Sequence, residues 1–211
     1  MMDVAAALAK GAMIGFAIAA PVGPVGLLCI RRTFAQGAGA GLASGLGAAT
    51  ADAMYGLLAA LGVSALASVL LEYSELLHVV GGVLMALLGI AALRRAAKPP
   101  VTVAARAATP SGLASAFGST FALTASSPMT ILSFAGLLAA LAPPDGSVRG
   151  GLTLVAGVFA GSVAWWMLLV GGVSASRRAL PPSALRWIEG VSGAALLVFA
   201  AWSVHAGIAP A

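Results

Sequence analysis

The stretch GFAIAAPVGPVGLLCIRR, Gly15 to Arg32, decides the fold. It is apolar enough to be half of a membrane helix, yet Pro21 and Pro24 sit in its middle with Gly23 between them. Each proline removes an amide donor and clashes with the turn before it. In hydrocarbon the freed carbonyls are costly unless protein or water satisfies them. A break at that depth therefore points to a segment lining a cavity. It also makes a new helix start: Pro24 suits the first turn of a half-helix, whose free amides and positive dipole end face the midplane. Such a start suits an anionic group such as a carboxylate.

The rest of the chain is written for lipid. Of its 211 residues 61% are hydrophobic and 8% charged, against about 25% charged in a soluble domain. Charge-free or nearly charge-free runs locate the spans, each needing roughly 20 apolar residues. Gly11–Ile30 lies between Lys10 and Arg31, Thr33–Leu71 carries only Asp52, and Ala107–Pro144 carries no charge. These runs predict helices near 4–30, 38–63, 76–93, 112–141, 151–173 and 187–206. Alternating ten-residue barrel strands are absent. The expected fold is an all-α integral membrane protein with six transmembrane helices, the first and fourth broken.

The net charge of +5 is unevenly placed. The stretches after the first, third and fifth helices hold Arg31, Arg32, Arg94, Arg95, Lys98, Arg106, Arg177, Arg178 and Arg186, nine of the eleven basic residues. The positive-inside rule puts these in the cytoplasm and both termini outside an inner membrane. Short basic loops at span ends, without interleaved aromatics, argue against nucleic-acid binding. The lone Cys29 has no intrachain disulfide partner.

The basic stretch Arg94–Gly112 divides the chain into 1–107 and 108–211, and the halves resemble each other. FAIAAPVGP, Phe16–Pro24, recurs as FALTASSP, Phe121–Pro128. At a constant offset of 110, Gly47 matches Gly157, Asp52 matches Ser162 and Tyr55 matches Trp165. Three spans per half make the second copy enter from the opposite side, an inverted-topology repeat of the kind found in secondary transporters. Gly37, Gly41 and Gly45, and Gly157 and Gly161, have the four-residue spacing of close helix packing in lipid. Such a face also leaves a homodimer open.

The second break falls at Ser126-Ser127-Pro128, where Ser127 can cap a half-helix starting at Pro128. Paired breaks at matched positions are the best sequence pointer to a transport site. Asp52 is the one acid deep inside a span, and an intramembrane carboxylate is a functional candidate by default. Its bland alternative is a structural pair with Thr50 or Tyr55. Pro21, Gly23, Pro24, Val25, Ser126, Ser127, Pro128 and Tyr55 are the expected substrate-binding residues, and Asp52 the ion-coupling residue. Of Trp165 and Trp166, one faces the cavity; Trp187 and Trp202 read as interface anchors. Glu189 suits a local pair with Arg186, and His78 reads as interfacial. No phosphate loop, HExxH, CxxC or nucleophile elbow occurs, so neither an enzyme nor a cofactor is expected.

Pro21–Gly62 and Thr120–Leu141 resemble the two halves of the LysE-type amino-acid exporters, the lysine-exporter or RhtB family. The shared pattern is a Pro-Gly-Pro-like break, a basic and glycine-rich stretch, an Asp in the second helix, and a second break. The resemblance implies export of amino acids or related small metabolites from the cytoplasm, driven by an ion gradient. Where many members carry Asp or Asn after the second proline, this chain has Val25 and Gly26, so the break offers backbone rather than a side-chain ligand. Two other readings stand beside it: a non-transporting membrane scaffold, with the breaks as packing kinks, and an exporter of inorganic cations.

Overall fold

A computed structural model describes residues 4–20, 23–60, 73–97, 109–127, 130, 148–177 and 182–208. They form seven α-helices: α1 (Val4–Ala19), α2 (Pro24–Gln36), α3 (Ala38–Ala60), α4 (Ser74–Ala96), α5 (Pro110–Ala125), α6 (Val148–Arg177) and α7 (Pro182–Ile208). No strand occurs among the described residues. The break expected from the prolines is there: α1 stops at Ala19, α2 starts at Pro24, and their axes meet at 82°. Gly23 caps α2 in an extended conformation, with Pro24 at its first position.

α2 then continues past the end expected near residue 30. Arg31 and Arg32, expected in a cytoplasmic loop, lie inside it and are 2% and 5% exposed. The helix persists because the Arg32 guanidinium finds acceptors within the protein. Its Nη1 donates to Ser44 Oγ at 2.8 Å, Thr120 Oγ1 at 2.8 Å and the Ala116 carbonyl at 2.9 Å. Its Nη2 donates to Ser119 Oγ at 2.7 Å. A buried charge is tolerated only with such partners. Gly37 alone separates α2 from α3, at φ 95°, a conformation that an L side chain takes only at a cost. Gly37 is thus a corner residue rather than part of the expected glycine packing face.

Among the described residues three helices contain stretches long and apolar enough to cross a membrane, Glu75–Arg94, Arg149–Ser176 and Gly190–Ile208, and the bent pair α1 and α2 is long and apolar enough only when taken together. The protein is a multi-pass membrane protein. α5 has 16 residues, and α3 is rich in Gly and Ala and carries Asp52; residues 61–72 and 131–147, where the expected second and fourth spans continue, lie outside the described residues. On α4 the exposed side chains Leu76, Val80, Val83, Leu87 and Ile90 recur every three or four residues. A helix that turns one apolar stripe outward is suited to lipid, the reverse of a soluble surface helix.

Four pairings build the bundle: α1 on α6, α5 on α3, α3 on α6, and α4 on α7. α2 lies among them, touching α3, α5, α6 and α7. Glycines set the separations. A Cβ on Gly15 would meet the Val158 carbonyl, and one on Gly161 the Ala12 carbonyl. The repeat-matched Gly47 and Gly157 seat against the carbonyls of Phe117 in α5 and Leu8 in α1. Gly45 makes room for the Trp166 ring. These are the close approaches that small residues permit between helices in lipid.

Candidate functional site

The two helix ends and Asp52 converge on one cavity. Proline chemistry stops α1 and starts α2; α5 stops at Ala125, where the Ser126 amide closes the last turn on Ala122. Between them lies a space of about 390 Å³. Gly23, Pro24, Val25 and Gly26 form its α2 wall, Ala48 and Asp52 its α3 wall, and Thr124, Ser127 and Thr130 its α5 side. Trp166 of α6, Phe199 of α7 and Ile18 and Ala19 of α1 complete it. The Leu27 amide bonds the Gly23 carbonyl and Pro24 has no amide hydrogen, so the amides of Val25 and Gly26 are those left over at the helix start.

Asp52 is 4% exposed, and its Oδ2 accepts a 2.8 Å hydrogen bond from Ser162 Oγ. The partner weighed from the sequence was local, Thr50 or Tyr55. Thr50 instead donates to the Leu46 carbonyl. The Tyr55 hydroxyl donates to the Ala125 carbonyl, at the last turn of α5, where carbonyls lack intrahelical donors. Asp52 and Ser162 are the pair matched at offset 110, and they meet at the contact of α3 with α6.

Of the expected site residues, Gly23, Pro24, Val25, Ser127 and Asp52 line this cavity. Ser126 lines a second, smaller space of about 110 Å³ that shares Pro24, Val25, Ser127 and Phe199 with the first. Tyr55 contributes through Ala125 rather than as lining. Pro21 and Pro128 lie outside the described residues. Trp166 is the cavity-facing tryptophan of its pair; Trp165 packs edge-on against Phe16, with ring centroids 5.3 Å apart. Trp187 and Trp202 are exposed. The side chains of Arg186 and of Glu189 lie outside the described residues, and His78 accepts from Ser203 through its carbonyl.

Sequence reasoning missed Phe199 and Thr130 as lining residues, since neither carries a charge or a break. It also missed the anchoring of Arg32. The signal for Arg32 was the recurrence of hydroxyls along α5, Ser111, Ser115 and Ser119 with Thr120, too many for a lipid-facing stripe. Among the described residues no three His, Cys, Asp or Glu side chains come together.

Residues 16–207 match the family of LysE type translocators. The chain is also similar to the "Putative amino acid efflux protein YcgF" of Bacillus subtilis (strain 168), with 27% identity over 199 residues, 93% of this chain and 94% of that one. No solved structure matches it significantly. With the match running from the first break to the end of α7, the chain belongs to the LysE type translocator family.

Proposed function

We propose that this protein exports amino acids, or small metabolites like them, from the cytoplasm as a secondary active transporter of the inner membrane. The observation that carries the reading is Asp52, the one buried carboxylate among the described residues, on the wall of a cavity bounded by a helix break, within a translocator family. In this reading the Val25 and Gly26 amides and the Ser127 hydroxyl hold the substrate carboxylate. Asp52 holds the ammonium group or exchanges a proton or cation against it. Six spans form two inverted halves that rock to alternate access, with both termini outside. The swapped pairing, α1 of one half on α6 of the other and α5 on α3, supports that arrangement. The similarity to a protein named for amino acid efflux supports the substrate class and direction.

The test is counterflow. Proteoliposomes loaded with one amino acid at a time should accumulate the same labelled compound for at least one member of a full amino-acid panel. Folded, monodisperse protein that exchanges none of them would overturn the reading and favour a scaffold.

A further inference from the structure

We propose that α2 is the gate on the cytoplasmic side of the cavity and that Arg32 is its latch: loading from the cytoplasm requires the Arg32 guanidinium to leave the hydroxyls of α3 and α5. This goes beyond the exporter reading, from which it takes only the side of the membrane.

α2 is placed and jointed for such a role. It meets α1 at 82°, so it runs across the bundle rather than along α1. It has a joint at each end, the break ahead of Gly23 and the corner at Gly37, where φ is 95°. Its first residues, Gly23 to Gly26, form one wall of the cavity. Its following turns are packed: Leu28, Cys29 and Thr33 have no exposed surface.

The partners of Arg32 sit one turn past the cavity lining on two helices. Ser44 is four residues before Ala48 on α3, and Thr120 four before Thr124 on α5, a step of roughly 6 Å along each axis. α5 starts just after the basic stretch Arg94–Arg106, so the exporter reading puts this side in the cytoplasm.

The chemistry of the cluster suits release. α2 packs chiefly on α3 and lies only lightly against α5, yet Arg32 ties it there through Ala116, Ser119 and Thr120. These acceptors and Ser44 are all neutral. Each hydroxyl also donates to a carbonyl of its own helix: Ser44 to Ala40, Ser119 to Ser115 and Thr120 to Ala116. When Arg32 withdraws, the hydroxyls keep those bonds and none is orphaned. A carboxylate in their place would be left as an unpaired buried charge. Such a latch closes firmly, through bonds from a charged donor, and opens without stranding a second charge.

The chain carries its own reporter. Cys29 is its one cysteine, three residues before Arg32, and its Sγ donates to the Gly41 carbonyl of α3 at 3.3 Å. It reacts only when α2 leaves α3. The experiment measures alkylation of Cys29 by N-ethylmaleimide in proteoliposomes, in wild type and two variants. The near-isosteric Thr120→Val removes one acceptor, and Ser119→Asp offers Nη2 a carboxylate. Thr120→Val should be alkylated about tenfold faster, the weight of one charge-assisted hydrogen bond, and Ser119→Asp several-fold slower. Ser119→Asp should also slow counterflow of whichever amino acid wild type exchanges fastest, with its thermal-unfolding midpoint held or raised. A network that only supports the fold would raise the midpoint without slowing exchange, and that result would overturn the proposal. So would wild-type alkylation rates in both variants. Should Thr120→Val fail to fold, a wild-type alkylation rate in Ser119→Asp is enough to overturn it. If wild type exchanges no amino acid, the exporter reading fails, and the alkylation rates still decide whether Arg32 latches α2.

Discussion

Asp52, Arg31 and Arg32 are the charged side chains that the described residues bury, and Asp52 and Arg32 are bonded to hydroxyls from distant parts of the chain. Arg32 reaches Ser44, Ser119 and Thr120, and Asp52 reaches Ser162. Arg32→Lys keeps the charge but loses the planar fork. A fall in the thermal-unfolding midpoint in detergent, equivalent to roughly 2 kcal/mol, is expected, with a larger fall for Arg32→Met. An unchanged midpoint for Arg32→Met would show that the network contributes nothing. Asp52 was legible in the sequence because an acid inside a long apolar run has no cheap alternative. Arg32 was not, because an arginine at the edge of such a run looks like the start of a loop. Its acceptors lie 12 to 88 residues away, where no local pattern connects them.

At the scale of the element, the first break and the stop of α5 were legible and the helix that follows the first break was not. Prolines announce where α1 must stop, since they cannot continue the ladder. The end of α2 depends on Arg32 being satisfied from α3 and α5, which is tertiary information. Tyr55→Phe removes the donor from the last-turn Ala125 carbonyl and should cost about 1 kcal/mol in unfolding free energy; no loss would show that the carbonyl is served otherwise. The glycines divide into two sets. Gly161→Ala pushes a methyl group into the Ala12 backbone and should separate α1 from α6, seen as a large drop in midpoint. Gly118 and Gly171 have nothing within 4 Å of an added Cβ. Gly118→Ala and Gly171→Ala should be neutral or raise stability by about 0.5–1 kcal/mol through helix propensity. Sequence spacing named the packing glycines Gly157 and Gly161, but it could not tell that Gly37 is a corner.

For the whole molecule, the constant offset of 110 has a physical counterpart: two residues matched by it, Asp52 and Ser162, touch each other at 2.8 Å. In the proposed inverted repeat, equivalent residues meet only on the axis relating the halves. A carboxylate there would serve either half. Asp52→Ser should abolish exchange, and the double exchange Asp52→Ser with Ser162→Asp should restore part of it. No recovery in a folded double variant would tie the carboxylate to α3 and weaken the symmetry argument. The proposed alternation of access depends on how the halves move and not on how either packs. The central claim is that Asp52 couples the cavity to transport. It is tested most directly by the pH dependence of amino-acid counterflow in proteoliposomes for wild type and Asp52→Asn at matched protein density. The account predicts that Asp52→Asn loses exchange, or keeps a residual rate that no longer varies with pH. Transport at the wild-type rate with the wild-type pH profile would contradict it.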